Sequence, residues 1–211
     1  VVQRWAGRLP AREEVEAALG QFRGTIAQRP PLYSALKRDG EPLHRRARRG
    51  EEVSPPASRQ VTIQRLELAG WDPPRVWLEV ECSAGAYVRS LAHDLGRALG
   101  CGAHLEALTR TRSGHFRLED ALSLEELEAG ADDHTWRRRL LPLDAAVADL
   151  PALELTDEEA RRVAYGQPLP GPAPEREGLA RVYSRQGEFL ALAEYDREGG
   201  LWRPRKVFVS A

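Results

Sequence analysis

The sequence predicts an α+β protein with a small β-rich unit at its C-terminal end. Apolar and polar residues alternate from Val76 to Cys82, which is typical of a half-buried strand. From Val88 to Leu99 the apolar residues recur at helical spacing instead, which indicates an amphipathic helix. After the proline-rich stretch 168–174, short strand patterns follow one another with turns between them. The whole pattern is that of an α+β fold with a β-rich appendix.

The first part of the chain contains the clearest element boundaries. Pro10 and the acidic residues after it predict the start of a helix. The apolar residues from Val61 to Leu68 have one irregular step, which indicates a strand with a bulge. Gly100 stands where the helix that begins near Val88 is expected to end. The less regular segments are predicted as a strand at Leu32–Leu36, a turn at Asp39–Gly40, a helix at Leu43–Arg49 and a strand at Leu105–Phe116.

A domain boundary is expected at residues 142–154, where prolines bracket small and acidic residues. Capping boxes that begin at Ser123 and Thr156 predict helices after them, and Gly166 is expected to stop the second helix. The proline-rich loop then precedes strands predicted at Leu179–Tyr183, Phe189–Tyr195 and Val207–Ser210. The chain is therefore expected to comprise domains at residues 1–146 and 151–211.

Composition narrows the classes of protein to which the chain can belong. A formal net charge of -1 gives no overall attraction to nucleic acid, so any polyanion site must be a local patch. No apolar run approaches the roughly 18–20 residues of a membrane span, and no signal-peptide pattern opens the chain. Cys82 and Cys101 form no paired motif, which favours free thiols in the cytoplasm. Cys101 and His104 are spaced like metal ligands, but a second pair is missing, so no metal site is expected.

Candidate active-site residues lie where the strand that ends at Cys82 gives way to the helix. Residues two apart on an extended segment face the same side, so Tyr87 and Arg89 are expected to line one cleft. The Arg89 guanidinium can hold a carboxylate in a bidentate geometry and keep it ionised. Tyr87 offers a flat apolar wall and one hydroxyl to a base. On residue types alone, a core tyrosine and a surface arginine are the simpler alternative.

Several separated motifs resemble the bacterial tRNA pseudouridine(55) synthases. The Cys82–Gly96 segment resembles the family's third active-site motif, and the likeness continues through Gly100–Arg110. Residues 151–211 are similar to its PUA-type RNA-binding domain. The segments that resemble its RNA-clasping region are Phe22–Gly24, Pro30–Lys37 and Ala47–Gly50. The resemblance extends from about Leu19 to the end of the chain, with the motifs in the family's order.

The resemblance implies both a fold and a reaction. The fold would be a mixed, largely antiparallel pseudouridine-synthase sheet with flanking helices, present here in part, and a PUA-like domain. The family isomerises a T-loop uridine of tRNA, at position 55, by base flipping and covalent catalysis by an aspartate, without cofactor or metal. By this likeness Arg89 would pair with the aspartate, Tyr87 would hold the base or its leaving proton, and Leu108 would pack on the base. A cytoplasmic monomer that binds the tRNA T-arm, without a membrane or a metal, is the expected form.

The chain departs from the family because the nucleophile is missing from it. The family carries the aspartate in a Gly-Thr-Leu-Asp-Pro-like loop, and no aspartate of this sequence stands in such a loop. Asp94 lies in the helix after Arg89, where a structural role suits it better. The sequence begins at Val1 and contains no Met, so it is expected to be part of a longer enzyme and inactive alone. The alternative is a non-catalytic RNA-binding protein of the same fold; a guide-RNA-dependent relative is disfavoured by the short terminal domain.

A basic segment at residues 37–50 is the second candidate site. On a short helix Arg45, Arg48 and Arg49 would share one face, which suits phosphate contacts and a steep dependence of binding on salt. A solvated surface helix is the alternative explanation for this run of charge. The predicted RNA-binding residues are Lys37, Arg38, Arg45, Arg46, Arg48 and Arg49.

Overall fold

A computed structural model of the chain describes residues 5–31, 37–38, 41–42, 45, 49, 51, 56–175 and 177–209. The chain divides into two units, Val1–Leu108 and Thr109–Ala211. The described helices α1 to α4 span Arg12–Leu19, Val88–Ala98, Leu124–Ala129 and Asp157–Ala164. The described strands β1 to β12 span Gly24–Gln28, Lys37–Arg38, Glu41–Pro42, Arg59–Asp72, Arg75–Cys82, Arg112–Ser113, Phe116–Arg117, Ala152–Leu155, Leu169–Pro170, Leu179–Ser184, Phe189–Asp196 and Leu201–Val207. These elements confirm the predicted α+β class.

The first unit is built on an antiparallel sheet of strand order β1-β4-β5. Gln28, the last residue of β1, lies opposite Arg59, the first residue of β4. The register of β4 against β5 shifts between Ile63 and Arg65, which confirms the predicted irregular step. The long β4 is the central strand and pairs with both outer strands. β5 leads through a short loop into α2.

Apolar side chains from α1, α2 and one face of this sheet form the core of the first unit. Its buried members are Leu19, Ile63, Leu66, Leu91 and Leu95. The alternate residues Leu78, Val80 and Cys82 of β5 pack against them, as the alternating pattern predicted. The predicted boundaries of α2 are also confirmed, because Gly100 follows the helix with a φ of 73°, where a glycine ends a helix without strain.

The second unit contains a five-stranded sheet of order β8-β10-β11-β12-β9. β8 runs parallel to β10, and the other neighbours are antiparallel. Val163 of α4 shares a buried core with Val182 and Trp202 of the sheet. The hydroxyls of Ser123 and Thr156 each accept a backbone N–H from the residue three positions later, which confirms both predicted capping boxes.

Two strand predictions are wrong. β12 spans Leu201–Val207 rather than Val207–Ser210. The strand can contain Pro204 because this residue lies beside a register shift, where a sheet tolerates proline. Leu105–Phe116 is not one strand, since only Arg112–Ser113 and Phe116 of that stretch pair, in the small hairpin of β6 with β7. The strands β1, β8 and β9 were not predicted. The predicted strand at Leu32–Leu36, the turn at Asp39–Gly40 and most of the helix at Leu43–Arg49 lie outside the described residues.

Candidate active site

The backbone of Tyr87 is fixed by the side chain of Gln28, which is only 1% exposed. The Gln28 Oε1 accepts a hydrogen bond from the Tyr87 N–H at 2.7 Å, and its Nε2 donates to the Tyr87 carbonyl at 3.1 Å. The amide therefore bonds to both backbone groups of Tyr87, as a neighbouring strand would. Gln28 is buried, and both ends of its amide are hydrogen-bonded. Its side chain therefore anchors the backbone of Tyr87 at a fixed distance from the sheet.

The loop between β5 and α2 is tied to the sheet on both sides of the tyrosine. Ser83 donates its N–H to the Thr62 carbonyl at 2.8 Å and accepts the Thr62 N–H on its Oγ at 3.0 Å. In the first turn of α2, the Ser90 hydroxyl donates to the Arg29 carbonyl at 2.7 Å. These bonds restrain the loop and the start of the helix, so the side chains between them are presented from a fixed backbone.

Tyr87 and Arg89 occupy different kinds of backbone. Tyr87 is the last extended residue, with φ −110° and ψ 107°, and α2 begins at Val88. Arg89 therefore lies in the first helical turn, where residues two apart point in different directions. The expectation that an extended segment aims both side chains to one side is wrong for this reason. Tyr87 is partly buried and Arg89 is exposed, and the roles assigned to them stay predictions.

A cation lies against the ring of Tyr87. The Arg59 Cζ is 4.9 Å from the ring centroid, and the same guanidinium donates from Nη2 to the Gly85 carbonyl. Sequence reasoning did not single out Arg59, Gln28 or Ser90. No local pattern marks these residues, because their contacts are made between parts of the chain that only the folded sheet brings together.

Leu108 follows a segment that two contacts hold against α2 and β5, within the first unit. The Gly96 carbonyl on α2 accepts the Gly102 N–H at 2.9 Å, and a Cβ at Gly96 would lie 2.0 Å from a backbone nitrogen of the segment. Further along, Arg75 donates to the two oxygens of Glu106 at 2.8 and 3.0 Å. These hydrogen bonds hold the pKa of Glu106 below its ordinary value. Leu108 itself is 59% exposed, as a residue that packs on a ligand would be.

The predicted basic segment is described in part. Lys37 and Arg38 form β2, which pairs antiparallel with the two residues of β3. Arg45 is exposed, and its carbonyl accepts the Arg49 N–H at 3.2 Å, which is the spacing of a helical turn. The predicted RNA-binding residues Arg46 and Arg48 lie outside the described residues.

Arg49 is engaged by two carboxylates. Its Nη1 and Nη2 contact the two oxygens of Glu41 at 2.5 and 2.8 Å, and its Nε contacts Glu51 at 2.7 Å. The hydrogen bonds to Glu41 first, and then to Glu51, raise the pKa of Arg49 above its ordinary value. Arg49 was predicted to meet phosphates, but in this structure it meets carboxylates of the same segment. An RNA phosphate would have to compete with them.

Cys82 and Cys101 are both free thiols, as the lack of a paired motif predicted. Over the described ranges, no three His, Cys, Asp or Glu side chains come together as metal ligands would. Within the same ranges, no helix is both long enough and apolar enough to cross a bilayer.

Three family models match consecutive parts of the chain. Residues 2–88 match the N-terminal domain of the TruB family pseudouridylate synthases, and residues 89–148 match the tRNA pseudouridylate synthase B C-terminal domain. Residues 151–208 match the C-terminal part of pseudouridine synthase II TruB. The models follow one another in chain order and cover nearly the whole sequence, which confirms the resemblance carried by the separate motifs.

Named relatives agree with the family models. A tRNA pseudouridine synthase B from Thiobacillus denitrificans is 48% identical over 197 residues, which are 93% of this chain and 64% of the relative. The protein of the same name from Pseudomonas aeruginosa is 43% identical over 202 residues, which are 94% of this chain and 66% of the relative. The chain thus spans slightly less than two-thirds of the length of these relatives.

Solved structures have the same fold. A Cbf5–Nop10–Gar1 complex matches with a TM-score of 0.73 and 27% identity, over 98% of this chain and 64% of the other. An H/ACA RNP bound to a substrate RNA containing 2'-deoxyuridine matches with a TM-score of 0.71 and 25% identity, over 98% and 63%. Fold, motif order and sequence identity agree, and the chain belongs to the TruB family of pseudouridylate synthases.

Proposed function

We propose that the protein isomerises a uridine of tRNA, at position 55 of the T-loop, to pseudouridine. The names of its relatives support tRNA as the substrate and isomerisation as the reaction. The observation that carries the proposal is the double anchor of Tyr87 by the buried Gln28, in the segment that resembles the family's third active-site motif. A fixed and partly exposed aromatic residue beside Arg89 suits the handling of a base that has left its stack.

Catalysis in this proposal is covalent and depends on an aspartate supplied from outside these 211 residues. Arg89 forms the ion pair that keeps this aspartate ionised and oriented. Tyr87 contacts the flipped base, and the exposed Leu108 packs on it. The bond from the ribose to N1 of the uracil breaks, the uracil turns, and the ribose bonds to C5 instead. C5 gives up its proton, N1 takes one up, and the aspartate is released unchanged. Product and substrate are isomers, so no cofactor is required.

RNA binding in this proposal uses phosphate contacts from the basic segment and a PUA-like domain at residues 151–211. The exposed Arg45 supports the first part, and the family match to residues 151–208 supports the second. The partner is the T-arm of tRNA, and the protein acts as a cytoplasmic monomer. The residues proposed to contact phosphate are Lys37, Arg38, Arg45, Arg46, Arg48 and Arg49.

Release of tritium from T-arm RNA labelled at uridine C5 tests the proposal, because C5 exchanges its hydrogen for the new glycosidic bond. A full-length protein that contains this chain is expected to release tritium. The chain alone is expected to bind the RNA without release. Release by the chain alone would show that the aspartate is present, and Asp94 would be substituted first. No release by the full-length protein would favour the alternative, a non-catalytic RNA-binding protein of the same fold.

The assignment of Arg89 has its own test in the full-length protein. Arg89→Ala is expected to abolish turnover nearly completely while RNA binding survives, because the aspartate loses its charge partner. Arg97→Ala, on the last turn of the same helix and also exposed, is the matched control and is expected to keep turnover. Normal turnover in the Arg89 variant would remove Arg89 from the site.

A further inference from the structure

Arg59 contacts the candidate site but has no part in the reaction proposed above. Its Cζ lies 4.9 Å from the centroid of the Tyr87 ring, within the range of a cation–π contact. Its Nη2 donates to the carbonyl of Gly85, two residues before the tyrosine. One planar guanidinium therefore contacts both the ring and the loop that carries the ring.

The sheet explains why Arg59 meets this tyrosine. Arg59 lies directly opposite Gln28 in the pairing of β1 with β4. The two side chains therefore leave neighbouring positions of one sheet, and both contact Tyr87. Gln28 bonds to the backbone of Tyr87, and Arg59 lies on its ring. Gln28 therefore restrains the backbone of the tyrosine, and Arg59 restrains the orientation of its ring.

The Arg59 guanidinium lies against the loop at Gly85. The backbone of Gly85 has a φ of 85°, a left-handed conformation that glycine adopts without strain. A Cβ at this position would lie 3.4 to 3.6 Å from three atoms of the Arg59 guanidinium. These are ordinary contact distances, so the Arg59 guanidinium lies against the loop backbone at Gly85, and the positive φ rather than the contact is what favours glycine there.

We propose that Arg59 is a positioning residue for the reaction. It covers one face of the Tyr87 ring, so that the other face and the hydroxyl are left for the substrate base. The inference rests on the proposed function, because a base is the ligand assigned to Tyr87. Without Arg59, the ring can rotate about its side-chain torsions, and a bound base meets several ring orientations instead of one.

Fluorine NMR of the chain without RNA tests the contact with the ring. The chain is labelled with 3-fluorotyrosine, and the Tyr87 signal is assigned from the Tyr87→Leu variant. Arg59→Met, similar in length but uncharged, is expected to shift this signal towards that of the free amino acid. Arg59→Lys keeps a cation and is expected to shift it less. Arg65→Met, on the same strand but paired with Glu67 at 2.6 Å, is the matched control and is expected to leave the signal in place.

Turnover by the full-length protein tests the positioning role. Arg59→Met is expected to lower kcat roughly tenfold with little change in KM, because the base still binds but is less well oriented. Arg59→Lys is expected to recover most of that loss. A loss confined to KM would assign Arg59 to RNA binding instead. A loss in kcat that Arg59→Lys fails to recover would mean that Arg59 maintains the local structure rather than the orientation of the ring. Either result overturns the proposal.

The two measurements separate a failure of this inference from a failure of the proposed function. If the full-length protein releases no tritium, the fluorine signal of this chain still decides whether Arg59 orients Tyr87. If turnover is found and the Tyr87 signal is unchanged in Arg59→Met, the proposed function stands and the positioning role is overturned.

Discussion

Single residues fix the geometry around Tyr87, and Gln28 is the one that holds its backbone. Its amide makes two hydrogen bonds to the tyrosine backbone, from a side chain that is 1% exposed. An apolar replacement of similar size fills the same space but leaves a backbone N–H and a carbonyl unpaired in a partly buried loop. The loss of stability therefore comes from those two unpaired groups rather than from a cavity in the core.

Gln28→Leu is expected to lower the free energy of unfolding by about 1–3 kcal/mol, because two backbone groups of Tyr87 lose their partner. Urea unfolding of the chain measures the change. Gln60→Leu is the matched control, since Gln60 is exposed on β4 and its loss is expected to stay within about 0.5 kcal/mol. Equal losses in the two variants would mean that the amide of Gln28 is not an anchor.

Arg49 offers a second test at the residue scale, because its carboxylate partners oppose its proposed contact with phosphate. The guanidinium and Glu41 are both solvent-accessible, so their pairing is weak enough for RNA to displace. Glu41→Gln is expected to tighten the binding of T-arm RNA severalfold, and Arg49→Gln to weaken it. Filter binding at two salt concentrations measures both effects.

The control for this prediction removes the same charge elsewhere. Glu13→Gln, on the exposed face of α1, is expected to leave RNA binding nearly unchanged. In the Arg49→Gln background, Glu41→Gln is expected to give no further gain. Weaker binding by Glu41→Gln would mean that the ion pair braces the segment and that Arg49 is not a phosphate ligand.

Elements whose signals are local were predictable from the sequence. The alternation in β5, the period of α2 and the capping boxes at Ser123 and Thr156 each lie within a few neighbouring residues. β12 was misplaced because Pro204 argues against a strand at that position. A proline is acceptable there only beside a register shift, and that shift depends on the partner strand. The bonds from Gln28 join residues 59 positions apart, so no window of sequence contains them.

The close approach of the Gly96 backbone to the segment leading to Leu108 predicts a sharp response to one methyl group. Gly96→Ala would place a Cβ 2.0 Å from a backbone nitrogen, so the segment must move away from α2. The free energy of unfolding is expected to fall by about 1–3 kcal/mol. Gly20→Ala is the matched control, since that site has helical φ and ψ and nothing within 4 Å of the new Cβ. Thermal unfolding that ranks the two variants equally would contradict this close contact.

The start of α4 predicts a dependence of stability on pH. The Thr156 hydroxyl and N–H both donate to Glu159, at 2.7 and 2.9 Å, which lowers the pKa of this carboxyl from 4.5. The folded pKa is below the unfolded one, so the stabilisation is present above the unfolded pKa and is lost as pH falls through the folded pKa. Glu159→Gln is therefore expected to be less stable at neutral pH, with a gap that closes on acidification. Glu158→Gln is the exposed control, and a gap independent of pH would contradict the assignment.

The whole molecule has a separate apolar core in each unit. One core is formed by α1, α2 and the sheet of the first unit, and the other lies between α4 and the five-stranded sheet. The second core contains residues from Leu155 to Trp202, all within the proposed domain at 151–211. Its polar contacts reach further back along the chain than its apolar ones. The hydrogen bonds, rather than the apolar core, therefore decide where a stable fragment of this domain begins.

Those contacts predict that a fragment beginning at residue 142 is more stable than one beginning at residue 151. The Tyr183 hydroxyl donates to Asp144 at 2.5 Å, and Arg181 donates from Nε to the Leu150 carbonyl at 2.9 Å. The shorter fragment loses both partners, and its free energy of unfolding is expected to be lower by about 1–3 kcal/mol. Tyr183→Phe in the longer fragment removes the bond to Asp144 and the one that Arg181 Nη1 donates to the Tyr183 hydroxyl at 3.1 Å, but it keeps the bond from Arg181 Nε to Leu150, so urea unfolding should place it between the two. If both fragments unfold at the same urea concentration, residues 142–150 add nothing to the domain, and its start at residue 151 is supported.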